Sequence, residues 1–168
     1  MIILAAAALS VTLGYNVQSH LPWTERIEYV NPAQFKNVLV AVTEQTDHMF
    51  IKYSHIGGSD DHQYKRVDGV WSYDTNEIKP KNLFILGFHH SFGNLDGFAG
   101  VGYLDHPDDI RLSGHTQFNL GFNYSFDNLT IGFEHYSNGR QIFGSSAPNI
   151  GIDFITVGYK FWLDAWRQ

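Results

Sequence analysis

A histidine and a serine two residues apart offer the clearest chemistry in this sequence. His135 and Ser137 lie in "LTIGFEHYSNG", residues 129–139, where every second residue from Leu129 is Leu, Ile, Phe, His and Ser. On a strand these residues share one face, so two polar side chains end an otherwise apolar face. An imidazole that takes the proton of a serine hydroxyl makes its oxygen a nucleophile, which can attack an ester or amide carbonyl.

The elements that would position this pair are strands, because the apolar residues recur with a period of two. The clearest case is "TQFNLGFNYSF", residues 116–126, where large apolar side chains alternate with small or polar ones. Eight such segments are predicted, at about residues 9–18, 36–44, 48–56, 82–92, 96–104, 115–126, 129–137 and 152–162.

The connections between these segments are alternately long and short. Long loops are predicted over about residues 19–35, 57–81, 105–114 and 138–151, and tight turns join the other neighbours. Transmembrane barrels combine this alternation with an even number of strands of about 9–11 residues. We therefore predict an all-β fold, a closed eight-stranded antiparallel up-and-down membrane β-barrel whose apolar side chains face lipid.

The register of the last two predicted strands supplies a carboxylate for the histidine. Pairing residues 129–133 with residues 155–159 sets apolar side chains opposite one another, and the same register sets His135 opposite Asp153. Side chains directly across a strand pair have Cβ atoms about 5 Å apart. Asp153 can then orient the imidazole while the other ring nitrogen takes the proton of Ser137.

The residues that follow the serine have two interpretations. A turn at Asn138 and Gly139 can aim backbone N–H groups, or the Asn138 amide, at a developing oxyanion. The purely structural alternative is that Ser-Asn-Gly simply opens a loop, with the histidine and the aspartate as polar ends of strands near a membrane interface.

Composition narrows the class of protein. A chain of 168 residues fits one domain, and 11 basic against 17 acidic residues, a net charge of −6, argue against a nucleic-acid binder. The absence of cysteine excludes disulfides and thiolate metal sites, and the nine histidines lack the spacing of a zinc site. Aromatic residues at 15% and 16 glycines favour a small barrel.

Three regions are predicted along the chain. Residues 1–8 form an apolar leader or the remnant of an export signal, although no Lys or Arg precedes Arg26. Residues 9–162 form a single β-barrel domain, and residues 163–168 form a C-terminal tail.

The segments "FEHYSNG" and "PNIGIDFITVGYKF" resemble the lipid A 3-O-deacylase (PagL-type) family of outer-membrane acyl hydrolases. The similarity lies in a His-x-Ser-Asn segment, a Pro-Asn-x-Gly segment followed by an acidic residue, and a last strand that ends in aromatic residues. It covers about residues 129–162, and before these only the barrel pattern matches.

The resemblance implies an esterase that hydrolyses the acyl chain at position 3 of lipid A, with lipopolysaccharide as substrate and the outer leaflet as its setting. It implies Ser137 as nucleophile, His135 as base, and Asp153 where the family commonly has Glu. Asn138, Gly139 and Asn149 are implied around the oxyanion, and no cofactor or metal is implied. The expected location is the outer membrane, or a virion for a divergent homologue, and a homo-oligomer is left open.

Two other functions remain open at this point. The first is a non-catalytic barrel that binds lipopolysaccharide or adheres at a surface. The second is a soluble barrel that holds a small apolar ligand inside. The direction of the apolar side chains separates them, because residues 118, 120, 122, 124 and 126 must face outward in a membrane barrel.

Overall fold

The computed structural model describes residues 8–17, 38–67, 70–107, 112, 114–138 and 151–162, with the backbone alone for residues 59–67 and 70–78. Ten strands are present in these residues. They are β1 (Ala8–Asn16), β2 (Val38–Gln45), β3 (Met49–Ile56), β4 (Ser59–Val67), β5 (Val70–Ile78), β6 (Lys81–Phe92), β7 (Leu95–Leu104), β8 (Thr116–Phe126), β9 (Leu129–Ser137) and β10 (Ile152–Trp162).

Eight of the strands close into one antiparallel barrel, in the order β1-β10-β9-β8-β7-β6-β3-β2. The closure is made by β1, which pairs with both β10 and β2. The predicted all-β, closed eight-stranded barrel is therefore confirmed, and the eight predicted segments match its strands to within about two residues. Among the described residues, no helix is long and apolar enough to cross a membrane.

The segment between β3 and β6 corrects the prediction of a long loop over residues 57–81. Strands β4 and β5 pair antiparallel to each other and form a separate two-stranded sheet. The sequence "SDDHQYKRVDGVWSYDTNEI" is mostly polar and has no sustained apolar alternation. A search for strands by apolar alternation therefore misses this hairpin.

Tight turns set the register of two hairpins within the barrel. A two-residue loop joins β6 to β7, and its Gly93 has φ of 62°, in the left-handed region that glycine adopts freely. A second two-residue loop joins β8 to β9, where Asp127 has φ of 53°. Asp is one of the few other residues that tolerate this region.

Large apolar side chains cover the outward face of the barrel, as β8 shows most clearly, and a second apolar cluster that includes Leu39, Leu83 and Phe154 is buried. Leu120, Phe122, Tyr124 and Phe126 are 43–54% exposed, whereas Gln117 and Asn119 on the opposite face are fully buried. Phe118 is half-buried on the outward face. The predicted orientation is confirmed, so a soluble carrier with an apolar lining does not fit this barrel. An outer surface this apolar is compatible with an outer-membrane protein.

The interior holds a hydrogen-bonded ion pair. Lys52 Nζ lies 3.0 Å from Glu134 Oε2, and both side chains are at most 5% exposed. Tyr136 donates its hydroxyl to the same carboxylate over 2.5 Å, and Asn119 accepts a hydrogen bond of 3.1 Å from Lys52. The lysine also lies 4.4 Å from the ring centre of Phe98. Buried charges persist only when paired in this way.

A small cavity lies between the strands towards the tight-turn end of the barrel. It measures about 30 Å³ and is lined by residues that include Lys52, His89 and Asp96. This volume holds one or two water molecules. The interior therefore acts as a packed core that stiffens the strands, and β9 carries two of its members, Glu134 and Tyr136.

Replacing Lys52 by Met should destabilise the barrel, because Glu134 then becomes a buried charge without its partner. We expect a loss of about 3–5 kcal/mol in the free energy of unfolding, measured by urea titration in lipid vesicles. The double variant Lys52→Met/Glu134→Gln removes both charges and should recover most of the loss. Equal unfolding midpoints for wild type and Lys52→Met would contradict a stabilising ion pair.

Candidate active site

The pairing of β9 with β10 brings the predicted site residues together. Leu129 pairs with Tyr159, and the same register pairs His135 directly with Asp153. This is the predicted register, which keeps the apolar side chains of both strands on one face. Direct pairing across the ladder brings the short Asp153 side chain within reach of the imidazole.

His135 and Asp153 form a short hydrogen bond. Nδ1 of the imidazole lies 2.6 Å from Oδ1 of the carboxylate, with the histidine side chain 29% exposed and the aspartate side chain 6% exposed. We assign the proton to Nδ1, because only a ring N–H can donate to a carboxylate. In the neutral imidazole this assignment leaves Nε2 unprotonated, as a general base requires.

Ser137 lies at the end of β9 and is largely covered. Exposure falls along the outward-facing positions, from 46% at Ile131 to 8% at Ser137. A serine looking openly at lipid was expected, so the structure places the hydroxyl deeper than predicted. Its partner across β8 is Phe118, and aromatic bulk at this position covers a small neighbour.

No hydrogen bond joins the imidazole to the serine hydroxyl in the described residues. Among these residues, the imidazole of His135 has its hydrogen bond with Asp153. Positions i and i+2 on a strand lie about 6.6 Å apart at the backbone. Side-chain rotation must therefore bring Nε2 of His135 and Oγ of Ser137 within hydrogen-bonding distance. Catalytic hydrogen bonds often tighten only once substrate is bound.

Of the three predicted oxyanion residues, the structure describes Asn138. Asn138 directly follows β9 and is 7% exposed, beside the serine. Gly139 and Asn149 lie outside the described residues. A buried amide and backbone N–H next to the nucleophile are the donor types that stabilise a developing oxyanion.

A second His-x-Ser pair shows how the same residue types can be purely structural. His89 and Ser91 lie on β6, and both contact Asp96, at 3.0 Å and 2.7 Å respectively. Here Nε2 of His89 lies 2.7 Å from the Thr46 carbonyl oxygen, so it is occupied as a donor. The cluster therefore ties the turn end of the barrel together and leaves no ring nitrogen to activate Ser91.

The loop ends of β6 and β7 carry another polar cluster. Asn82 accepts from Tyr53 and contacts His55 through the same oxygen, while its amide donates to Asp105 over 2.6 Å. Burial raises the pKa of Asp105, but hydrogen bonds from Asn82 and His106 outweigh it and lower the pKa from 3.8 to about 2. Its stabilising contribution is thus present above pH 3.8 and is lost as the pH falls towards 2.

Sequence reasoning missed the interior residues that support the site from behind. Asn119 Nδ2 lies 3.5 Å from the backbone oxygen of His135 and 3.5 Å from Glu134 Oε2. The available signal was a glutamate in the middle of a predicted strand, on the face opposite the lipid-facing one. An inward charge requires a partner, but β9 alone does not identify it.

Comparisons with protein-family models, with curated proteins and with solved structures found no match to this chain. The family resemblance therefore stays a prediction, and the site is argued from its geometry. Among the described residues, no group of three or more His, Asp or Glu side chains is arranged to hold a metal ion.

A fluorophosphonate should label the wild-type protein at Ser137, because such reagents react with an activated serine. Asp153→Asn should slow the labelling by about 10²–10⁴-fold, since an amide can no longer fix the imidazole as a base. Peptide mass spectrometry locates the label and gives its rate. Ser125→Ala, on β8, is the control and should label like wild type, whereas labelling that survives in Ser137→Ala would exclude this nucleophile.

Proposed function

We propose that this protein is a lipid A 3-O-deacylase-like esterase of the outer membrane. It hydrolyses an ester-linked hydroxyacyl chain of lipopolysaccharide with Ser137, His135 and Asp153. The observation that carries the proposal is the 2.6 Å hydrogen bond between His135 and Asp153 on the outward surface of the barrel. A base on the outward surface, next to the apolar side chains of the same face, suits a lipid substrate better than a water-soluble one.

The surroundings of the site support a lipid ester as substrate. Below His135 and Ser137, the outward positions of β8, β9 and β10 include Leu120, Phe133 and Ile155, which are apolar and at least partly exposed. Acyl chains in a membrane lie along such a surface, and the ester at their head then reaches the polar end of β9. Diffusion within the leaflet delivers the substrate without its leaving the membrane.

The reaction follows from the roles of the three side chains. Nε2 of His135 takes the proton of Ser137 as Oγ attacks the acyl carbonyl carbon, and Asp153 stabilises the imidazolium that forms. The tetrahedral intermediate collapses to an acyl-enzyme, and the imidazolium returns its proton to the sugar oxygen that leaves. Water, deprotonated by the same imidazole, then attacks the acyl-enzyme, releases a hydroxy fatty acid and restores the serine.

The second candidate is a non-catalytic barrel that binds lipopolysaccharide or acts as a surface or virion adhesion protein. The lack of a hydrogen bond between Ser137 and the imidazole among the described residues favours it, because an activated serine usually contacts its base. The two functions share the membrane setting and differ in whether the ester is cleaved.

Incubating lipid A with the detergent-solubilised protein tests the chemistry directly. We expect the mass spectrum of lipid A to show the loss of one hydroxyacyl group with wild type and with Ser125→Ala. With Ser137→Ala the lipid should stay intact, because the nucleophile is gone. Intact lipid A after incubation with wild type, across several acyl types and detergents, would leave the binding function in place of the esterase.

The membrane setting predicts that an outward charge costs more at mid-strand than at a strand end. Phe122→Arg lies in the middle of β8 and should cost about 2–4 kcal/mol of folding free energy in lipid, whereas Phe92→Arg, at the turn end of β6, should cost about 0–1 kcal/mol. Both native side chains are at least half exposed. Urea unfolding in vesicles measures the difference, and equal costs would argue against a barrel that spans a bilayer.

A further inference from the structure

Gly151, the residue immediately before β10, lies against the imidazole of His135. A Cβ atom built on this glycine would lie 2.6 Å from His135 Cε1 and 3.2 Å from Nε2. The same atom would lie 2.7 Å from the backbone oxygen of Tyr136. Carbon atoms pack at about 3.5–4.0 Å, so the backbone here approaches the ring as closely as a residue without a side chain allows.

Two contacts therefore confine the imidazole. Asp153 holds the ring at Nδ1 with a hydrogen bond of 2.6 Å. The point that a Cβ of Gly151 would occupy lies against Cε1 and Nε2, so the glycine backbone packs beside the nitrogen that must act as base. A ring held at both positions cannot swing away from Ser137 without breaking its contact with the carboxylate.

An added side chain at this position has little room to relax. The ring of His135 can move, but the Tyr136 carbonyl belongs to the β9 ladder and pairs in register with β10. The methyl group of an alanine would therefore push the imidazole rather than the strand. The ring would leave the position in which Nδ1 faces Asp153.

We propose that Gly151 is a positioning residue, which fixes the imidazole of His135 by backbone contact so that Nε2 is presented to the serine. The proposal deepens the proposed esterase function and rests on it. It assigns a role at the site to a residue outside the Ser-His-Asp set. Gly151 also has φ of 68°, a conformation that itself favours glycine.

The competing explanation for a glycine at position 151 is that its backbone conformation favours glycine. Two substitutions distinguish this explanation from contact with the ring. Gly151→Ala adds a Cβ and strains the backbone, whereas Gly151→Asn adds the same Cβ in a residue that tolerates left-handed φ. Gly93→Ala is the matched control, because Gly93 has φ of 62° and no atom lies within 4 Å of the point that its Cβ would occupy. It carries the backbone strain alone.

Two measurements follow the imidazole and the serine in each variant. Nitrogen-15 spectra of histidine-labelled protein report which ring nitrogen of His135 carries the proton, with His135→Gln used for assignment. The rate of fluorophosphonate labelling reports the activation of Ser137. We expect wild type and Gly93→Ala to show protonation at Nδ1 and labelling rates within about twofold, since Gly93 lies away from the ring.

Both Gly151 variants should show a mixture of protonated ring nitrogens. They should also label at least about tenfold more slowly, because general-base catalysis contributes about 10²–10⁴-fold. If Gly151→Asn labels like wild type, the glycine serves only its backbone conformation and the proposal is overturned. If both variants fail to fold, a nuclear Overhauser contact between Gly151 Hα and His135 Hε1 in the wild-type protein still decides, and its absence overturns the proposal.

Failure of the positioning role of Gly151 can be distinguished from failure of the proposed esterase function. If wild type leaves lipid A intact, the esterase is wrong, yet the Overhauser contact and the protonation of His135 still report whether Gly151 holds the ring. If wild type cleaves lipid A and the Gly151 variants cleave it as fast as Gly93→Ala does, the esterase stands and the positioning role falls.

Discussion

A ladder of antiparallel backbone hydrogen bonds between β9 and β10 sets the side chain of His135 opposite that of Asp153. A shift of this register by one residue would turn every side chain of one strand to the opposite face. The imidazole would then meet no carboxylate, and the outward apolar residues of β10 would turn to the interior. The outward apolar surface and the candidate site therefore depend on the same pairing.

The two faces of β9 differ in the side chains that they carry. Its outward residues are apolar until His135, while its inward residues include Glu134 and Tyr136, which are bound to Lys52 and Ser54. A charge inside is stable only with its partners, which come from a strand across the barrel. This network stiffens the strand from within and leaves the outer face to hold the imidazole, with Asp153 and Gly151 on either side of the ring.

The comparison of the two His-x-Ser pairs shows that residue type alone does not make a site. His89 and His135 each contact an aspartate through Nδ1, but Nε2 of His89 already meets a backbone carbonyl. The difference lies in what surrounds the second nitrogen, and neighbours from other strands decide it. For the same reason, the burial of Ser137 and its separation from the imidazole were beyond prediction from β9 alone.

The sequence by itself determined the strands of the barrel, the direction of their apolar faces and the register that pairs His135 with Asp153. These follow from local alternation and turn lengths, since each strand has an outward apolar face and its pairing must keep that face continuous. The strands β4 and β5 were not predicted, because their mostly polar sequence has no sustained apolar alternation. The tertiary structure alone decided the interior ion pair, the approach of Gly151 to the ring and the position of the serine, since each depends on distances between segments far apart in the chain.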